Sequence, residues 1–314
     1  MQLEVRNLTR CFGSVRALDD VSFTVPSGEV FGFVGPNGAG KTTALRILSG
    51  LDTPDAGDAF YDGISIVQNP EKVRRKIGYM PDTLPNAGDI NVGEFLDFYA
   101  AAFGLKGAAK KEAMEKVEHF TRLGSLRGKF LSQLSKGMKQ RVNLARILIH
   151  DPEVLLLDEP AAGLDPRTRF ELRESLKMLA QSGKTILISS HILTELESLI
   201  SGVVILSKGK LIRSGAMSEL QQIESSGDIE TVQLELLPGT KLNSLPAQLQ
   251  ALPGVQTVRA EGGKKLVLVI KSSAIHELLL FMGQNKFPLA ELRRPNQVAK
   301  LEEIFMKNTT GEGQ

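Results

Sequence analysis

The stretch Gly35–Thr43, which reads GPNGAGKTT, constrains this chain more than any other part of it. From its first glycine it has the spacing G-x-x-x-x-G-K-T, in which backbone N–H groups of a glycine-rich loop turn inward around phosphates. An apolar run, Val30–Val34, leads into the loop, and a helical pattern, Thr42–Leu48, leaves it, so a helix N-terminus points at the same place. An ordinary glycine-rich turn is the alternative. The lysine and the threonine hydroxyl stand at the positions that this spacing requires, which favours a nucleoside triphosphate site.

The residue types within this loop predict how each group would act. The Lys41 ammonium can reach the β- and γ-phosphates, and the Thr42 hydroxyl can hold Mg²⁺. We expect the triphosphate to be bound by Gly35, Pro36, Asn37, Gly38, Ala39, Gly40, Lys41, Thr42 and Thr43.

The composition is that of an ordinary globular protein, with 42% hydrophobic and 24% charged residues among 314. A net charge of +2 gives no reason to expect a nucleic-acid partner. The single cysteine, Cys11, excludes an internal disulfide framework and favours a reducing compartment. The first residues lack a signal-peptide pattern, and the apolar runs are too short to cross a bilayer. We therefore expect a cytoplasmic protein whose membrane role, if any, passes through a partner.

Strand and helix patterns alternate through the first two thirds of the chain. Two short alternating stretches, Leu3–Leu8 and Val21–Val25, predict an antiparallel pair joined through the CFGS segment. Continuous apolar runs at Val154–Leu157 and Thr185–Ser189 are typical of buried strands, and residues 82–150 are helical in pattern. The fold class is therefore α/β, a mostly parallel sheet with an N-terminal antiparallel β subdomain and an all-helical insertion.

The pattern changes from about Ser225 onwards. Its order, β-α-β-β-α-β, predicts a small α+β domain of the ferredoxin-like kind with a trailing helix. The last residues, Thr309–Gln314, are expected to be a disordered tail. The predicted elements are Thr231–Leu237, Leu242–Leu252, Val255–Ala260, Leu266–Lys271, Ser273–Asn285, Leu289–Arg294 and the helix Val298–Lys307.

Two carboxylates, Asp158 and Glu159, follow the apolar strand at Val154–Leu157. An aspartate at the carboxyl end of a buried strand beside a phosphate loop is placed to hold Mg²⁺. Glu159, one residue further, can polarise a water for attack on the γ-phosphate. The alternative is a pair of carboxylates that only caps the strand end.

Two further features are weaker when each is taken alone. The segment LSKGMKQR, Leu134–Arg141, puts a serine and a glycine at a helix N-terminus, which is a natural anion site. Ser135 could equally be only the helix N-cap. His191 directly follows the strand at Thr185–Ser189, where a purely structural histidine is the alternative to a functional one.

Together these stretches resemble the nucleotide-binding subunits of ABC transporters, over about residues 1–220. GPNGAGKTT resembles the Walker A motif, VLLLDEP resembles Walker B, and AAGLD, Ala161–Asp165, resembles the D-loop. SSHILTELE, with His191, is similar to the switch-histidine region, and LSKGMKQR stands at the family's signature motif. Phe12 stands where the family has an aromatic ring that stacks on adenine.

The resemblance implies a P-loop NTPase (ABC ATPase) domain over residues 1–222, with its helical subdomain at about 82–150, and an accessory domain over 228–308. It implies ATP and Mg²⁺ as cofactors and a homodimer in which each phosphate loop closes on ATP against the signature helix of a second copy. Ser135 and Gly137 would then bind the γ-phosphate across the interface, and Asp165 would communicate between sites. His191 would contact the γ-phosphate from the loop's own subunit.

This sequence departs from the family pattern at two positions. The usual signature, Leu-Ser-Gly-Gly-Gln, here reads Leu-Ser-Lys-Gly-Met, so Lys136 adds positive charge to a helix N-terminus. The family's glutamine that senses Mg²⁺ and couples to the membrane subunit aligns with Asp82, whose shorter carboxylate could ligate Mg²⁺ or only contact the partner.

The domain order and the LSKGMKQR segment look like the ABC-2 type exporters, which include drug- and antibiotic-resistance ATPases. This resemblance implies separate transmembrane permease subunits as partners, and peripheral association with the cytoplasmic face of the membrane through them. A different class of function is a soluble ABC-type ATPase that acts on a ribosome or another cytosolic complex. Nucleotide-regulated binding without hydrolysis is disfavoured because Asp158, Glu159 and His191 are all present.

Overall fold

A computed structural model of the chain describes residues 1–84, 89–191, 196, 199–219, 229–237, 245–261, 265–285 and 287–293. The chain divides into two compact units, with the boundary between Met217 and Ser218. The trailing helix and tail predicted beyond Arg293 lie outside the described residues, as does most of the segment after His191. None of the described helices is both long and apolar enough to cross a membrane.

The first unit is built from ten strands and six helices among its described residues. In chain order they are β1 (Leu3–Phe12), β2 (Val15–Val25), β3 (Val30–Val34), α1 (Lys41–Leu48), β4 (Ala56–Tyr61), β5 (Ile64–Ser65), α2 (Pro70–Arg74), β6 (Ile77–Met80), α3 (Val92–Ala102), α4 (Gly107–Phe120), α5 (Lys136–Leu148), β7 (Val154–Leu157), α6 (Pro166–Gln181), β8 (Thr185–Ser190), β9 (Gly202–Ser207) and β10 (Lys210–Ala216).

The central sheet has the strand order β10-β9-β3-β8-β7-β6, and it is parallel except for the antiparallel edge strand β10. Strands β3 and β7 are buried along their whole length, as expected for apolar runs covered on both faces. Because β3, β7 and β8 are parallel, the segments that follow them meet at one edge of the sheet. This edge carries the phosphate loop, the two carboxylates and His191.

The antiparallel subdomain has the order β2-β1-β4-β5. It is larger than predicted, because the arms of the first hairpin remain paired as far as Phe12 opposite Val15. Strand β4, which begins at Ala56, pairs with β1 on the side opposite to β2. The alternating side chains of this sheet, such as Leu3 and Leu8, are fully buried and face α1 in the same core.

The helical insertion between β6 and β7 consists of α3, α4 and α5, as predicted. A capping box begins α3: the Asn91 side chain accepts from the Glu94 N–H at 2.9 Å, and the Glu94 carboxylate accepts from the Asn91 N–H at 2.9 Å. The amphipathic α5 buries Val142, Leu144 and Ile147. The packing of the insertion therefore fixes the position at which α5 begins, with Ser135 as its N-cap.

The described part of the second unit contains β11 (Ile229–Leu236), α7 (Leu245–Gln250), β12 (Val255–Glu261), β13 (Lys265–Lys271), α8 (Ile275–Gln284) and β14 (Leu289–Arg293). Its sheet has the order β12-β13-β11-β14 with every neighbouring pair antiparallel. This is the predicted ferredoxin-like β-α-β-β-α-β arrangement. Leu234, Leu268 and Leu278 lie in its separate apolar core.

Candidate functional site

A cavity of about 670 Å³ opens at the carboxyl edge of the central sheet. It brings together most of the residues that the sequence singled out for phosphate and metal binding. It is lined by Pro36, Asn37, Gly38, Ala39, Gly40, Lys41, Thr42, Thr43, Asp82, Asp158 and Glu159, and also by Val15, Arg16, Ala17 and Lys208.

The phosphate loop, residues 35–43, owes its path to glycine at the start of α1. Gly40 has φ +103°, and a Cβ there would lie 2.4 Å from the Ala17 carbonyl oxygen of the neighbouring β2 strand. Only glycine permits both this backbone conformation and this close approach. The loop is therefore shaped by its packing against the antiparallel subdomain as well as by its own sequence.

The Lys41 ammonium is buried, with only 6% of its side chain exposed. It donates to the carbonyl oxygens of Gly35 at 2.6 Å and Pro36 at 3.3 Å. The ammonium also forms an ion pair with Glu159, whose Oε1 lies 3.4 Å from the Lys41 Nζ. A buried ammonium requires such partners, and a phosphate group would supply stronger ones.

Asp158 is buried at the end of β7, and its Oδ1 accepts a hydrogen bond of 2.7 Å from the Ser189 hydroxyl. Burial raises the pKa of Asp158, while hydrogen bonds from Ser189 and Thr42 oppose this shift. A buried carboxylate beside a hydroxyl is a pair of hard oxygen donors, which suits Mg²⁺. The residues present therefore fit the ion that the sequence predicts here.

Glu159 is held by its neighbours on two sides. Its backbone is left-handed, with φ +45°, and its N–H donates to the Ser189 hydroxyl at 2.8 Å. His191 Nδ1 lies 3.0 Å from Glu159 Oε2, and because a carboxylate only accepts, Nδ1 is the donor. Glu159 Oε1 is buried and accepts no hydrogen bond from the described residues. The carboxylate thus points this second oxygen towards Lys41, with which it forms an ion pair.

Asp82 reaches this cavity because α5 holds the chain that leaves β6. Three side chains along one face of α5 donate hydrogen bonds to backbone carbonyls of that segment. Arg146 donates to Tyr79 at 2.8 Å. Asn143 donates to Pro81 at 3.0 Å, and Gln140 donates to Asp82 at 3.3 Å. The Asp82 side chain is exposed, and its charge also raises the pKa of Asp158. Asp82 is therefore near Asp158, and its backbone is hydrogen-bonded to the helical insertion.

Ser135, Gly137 and Asp165 do not line the cavity of Lys41. Ser135 caps α5, accepting from the Met138 N–H at 3.4 Å, which is the N-cap role the sequence left open. Asp165 caps α6 through the Thr168 N–H at 3.0 Å and the Thr168 hydroxyl at 2.6 Å, and these bonds lower the pKa of Asp165. Within one chain, these three residues therefore lie outside the cavity at the phosphate loop.

Phe12 also lies outside the lining of the cavity among the described residues. It is half-exposed at the tip of the first hairpin, and the guanidinium of Arg10 sits 5.0 Å from the centre of its ring. Val15, which pairs with Phe12 across the hairpin, does line the cavity. Stacking of Phe12 on adenine stays a prediction.

Sequence reasoning missed Ser189, the residue that joins the Asp158 carboxylate to the Glu159 backbone. Its hydroxyl donates to Asp158 Oδ1 and accepts from the Glu159 N–H, and the side chain is almost fully buried. The available signal was its place two residues before His191, at the end of a strand adjacent to β7. Arg16 and Lys208, two cations that line the cavity, had no motif to mark them.

Comparison with known proteins gives a consistent result. A family model described as ABC transporter matches residues 18–162. The chain is similar to Nod factor export ATP-binding protein I of Cupriavidus metallidurans, 35% identical over 310 residues that cover 99% of this chain and 98% of that protein. It is also similar to the probable multidrug ABC transporter ATP-binding protein YbhF of Escherichia coli, 35% identical over 219 residues, 70% of this chain and 38% of that protein.

Two solved structures show the same fold. One, an ATP-binding subunit of an ABC transporter, has a TM-score of 0.65 and 30% identity and covers 79% of this chain and 99% of its own. The other, a dimeric bacterial ABC transporter cassette, has a TM-score of 0.63 and 26% identity and covers 68% of this chain and 98% of its own.

The Ser189 bridge generates a stability prediction. Ser189→Ala removes the hydrogen bond to Asp158 Oδ1 and leaves the Glu159 N–H without its buried partner, so we expect the free energy of unfolding to fall by about 1–3 kcal/mol. Urea denaturation of the nucleotide-free protein measures it. Ser175→Ala, which removes only a bond of 3.1 Å to a carbonyl within α6, is the matched control. Equal stability of the two variants would contradict a bridging role.

Proposed function

This chain belongs to the ABC transporter family as an ATP-binding and ATP-hydrolysing subunit, and from that premise we propose that it powers a separate membrane permease in an exporter. The observation that carries the proposal is the arrangement of Glu159, held by Ser189 and His191 and facing the buried Lys41. The export role is supported by relatives named for Nod factor export and multidrug transport.

The first step of the mechanism is an exchange of partners at Lys41. Its ammonium contacts two loop carbonyls and the Glu159 carboxylate in this structure. The β- and γ-phosphates of ATP offer charged oxygens in the same loop, which bind an ammonium more strongly than carbonyls do. Lys41 can then turn to the phosphates, and Glu159 is released from its ion pair.

The released Glu159 carboxylate is the general base of the proposed reaction. It accepts a proton from a water whose oxygen attacks the γ-phosphorus, while the bond between that phosphorus and the β–γ bridging oxygen breaks and ADP leaves. The bond from His191 Nδ1 holds one carboxylate oxygen and leaves the other for the water. Thr42 and Asp158, with Asp82 as a third candidate, would hold Mg²⁺. That ion, when bound, neutralises charge on the phosphates.

A second copy of the chain would complete each site. Ser135, Gly137 and Asp165 lie outside the cavity at the phosphate loop of their own chain, and Ser135 and Gly137 lie at a helix N-terminus suited to an anion. A dimeric cassette with the same fold supports pairing of two copies. In the proposed homodimer, Ser135 and Gly137 bind the γ-phosphate of the other copy's ATP, and Phe12 stacks on the adenine.

The permease would be a separate protein, and the chain would act peripherally at the cytoplasmic face of the membrane. The helical insertion, α3 to α5, is the part we propose to contact it, because α5 is hydrogen-bonded to the Asp82 segment at the edge of the cavity. The alternative of an ATPase acting on a ribosome has less support, since the relatives are named for export and transport.

Glu159→Gln tests the assigned base. The amide keeps the size of the side chain but cannot take a proton, so we expect ATP binding to persist and steady-state hydrolysis to fall by at least about a hundredfold. The ATP-bound dimer should accumulate, as measured by size-exclusion chromatography with ATP. Glu153→Gln, which alters an exposed carboxylate paired with Lys76, is the control. Hydrolysis near the wild-type rate in Glu159→Gln would refute the role.

Asp82 has a separate test in the magnesium dependence of hydrolysis. If Asp82 ligates the ion, Asp82→Ala removes one oxygen donor, and more Mg²⁺ is needed for half-maximal hydrolysis. The control is Asp97→Ala, which removes an exposed carboxylate paired with Lys110. An unchanged Mg²⁺ titration would exclude ligation and leave Asp82 a coupling role only.

Co-purification tests the proposal as a whole. The tagged chain, extracted in mild detergent from its native cells, should bring down a membrane protein with several apolar spans. When that membrane protein is reconstituted in vesicles and the chain is added, the rate of ATP hydrolysis should differ from that of the chain alone. Recovery of ribosomal or other soluble partners alone would refute the transporter role and favour the alternative.

A further inference from the structure

The tip of the first hairpin, which carries Phe12, is paired on one side only. Strand β1 pairs with β2 as far as Phe12 opposite Val15, while its last pair with β4 is Thr9 opposite Ala56. The register of β1 against β2 also shifts on either side of Arg10. Because two strands alone are marginally stable in water, a further contact is needed to fix the Phe12 ring.

Arg10 supplies that contact, because its guanidinium lies over the Phe12 ring, 5.0 Å from the ring centre. The two residues are two positions apart on β1, which places their side chains on the same face of the strand. A guanidinium at this distance is attracted by the electrons of the ring face. Since Phe12 is 50% exposed, the ring keeps free surface for a second planar group.

Two carboxylates hold the guanidinium itself. Arg10 Nη2 lies 3.2 Å from Asp52 Oδ1, and Arg10 Nη1 lies 2.9 Å from Asp55 Oδ1. The side chains of Arg10 and Asp52 are only 21% and 20% exposed, so salt screens this pair less than it screens a pair on the open surface. The two ion pairs together fix the direction in which the guanidinium lies.

Asp55 also supports the backbone of the hairpin tip. Its Oδ2 accepts a hydrogen bond of 2.6 Å from the Cys11 N–H, and its own N–H donates to the Thr9 carbonyl at 2.9 Å. These two bonds lie at the end of β1, just beyond its last pair with β4. Asp55 therefore bonds both the backbone beside Phe12 and the guanidinium over the ring.

Asp52 connects the same guanidinium to the helix that follows the phosphate loop. The Asp52 N–H donates to the carbonyl of Arg46, in the last turn of α1, at 3.2 Å. Helix α1 begins at Lys41, inside the phosphate loop. The Phe12 ring and the phosphate loop are thus linked through Arg10, Asp52 and α1.

We propose that Arg10, held by Asp52 and Asp55, is a positioning residue that fixes the Phe12 ring as a platform for the adenine of ATP. The guanidinium packs on the ring, and the base stacks on the ring surface that is left exposed. The proposal rests on the proposed function, in which Phe12 stacks on adenine. Arg10 then raises the affinity for a nucleotide that carries a base and takes no part in cleavage at the γ-phosphate.

The first experiment compares two ligands by isothermal titration calorimetry. Arg10→Ala should raise the Kd for ADP about threefold to thirtyfold, the scale of stacking and cation–π contacts. The Kd for pyrophosphate, which has the phosphates but no base, should stay at the wild-type value. In steady-state hydrolysis the KM for ATP should rise, while kcat at saturating ATP falls by less than about twofold.

Two further variants accompany this measurement. Arg6→Ala is the matched control, because the Arg6 guanidinium lies 4.5 Å from the centre of the Phe60 ring and pairs with Glu4 at 2.7 Å, on the same strand but away from the cavity. It should bind ADP like the wild type. Asp52→Asn keeps the size of its side chain and weakens only one ion pair of Arg10, so it should raise the Kd for ADP less than Arg10→Ala does. It serves as the test if Arg10→Ala does not fold.

The second experiment reports on the ring itself. The chain contains no tryptophan, so Phe12→Trp introduces a single indole at the platform. ADP should change the fluorescence of that indole, because the base stacks on it, and pyrophosphate should not. Adding Arg10→Ala should lower the steady-state anisotropy of the indole without nucleotide, since the ring then loses the guanidinium that restrains it.

A double-mutant cycle tests whether Arg10 acts through the ring. Phe12→Ala removes the platform and should raise the Kd for ADP by itself. If the guanidinium acts only by holding the ring, adding Arg10→Ala to Phe12→Ala gives no further rise.

Three results would overturn the role of Arg10. They are an unchanged Kd for ADP in Arg10→Ala while Phe12→Ala raises it, an equal rise in the Kd for pyrophosphate, or effects that multiply in the double variant. Failure of the proposed function gives a different pattern. The wild-type chain would then show no ATP hydrolysis, or Phe12→Ala would leave the Kd for ADP unchanged.

Discussion

The site depends on the burial of one positive charge, the Lys41 ammonium, at the carboxyl edge of the central sheet. An unpaired buried charge costs several kcal/mol, and Lys41 is surrounded by two loop carbonyls and the carboxylate of Glu159. This links the group that would bind phosphate to the group that would activate water. In the proposed mechanism, a triphosphate that binds Lys41 also releases Glu159 to act as the base.

The rest of the first unit places the partners of that charge. The parallel strands β3, β7 and β8 bring the phosphate loop, Asp158 and His191 to one edge. Ser189 joins Asp158 to Glu159 with two short hydrogen bonds. Helix α5 binds the Asp82 carbonyl through Gln140 and packs on α6 at Gly137, in its first turn. A movement of the helical insertion would therefore reach both the metal donors and the D-loop, which is the connection a transport ATPase needs.

Much of this could be predicted from the sequence. The strands Val30–Val34 and Val154–Leu157 are short apolar runs, and each has its predicted limits in the structure. Strands β9 and β10 were missed, because an apolar run such as Gly202–Ser207 has no period that separates strand from helix. The extension of β1 and β2 was missed because pairing across the hairpin, and not local alternation, keeps their ends extended.

The sequence by itself determined the chemistry: a phosphate loop, a lysine, a hydroxyl and two carboxylates at spacings that identify a triphosphate site. These are properties of short segments, in which a few neighbouring residues set both the backbone and the functional groups. Only the tertiary structure decided that Ser189 joins the Asp158 carboxylate to the Glu159 backbone and that Lys41 pairs with Glu159. Those contacts join residues that are between 30 and 118 positions apart, which the geometry of the packed sheet and helices brings together and no local pattern records.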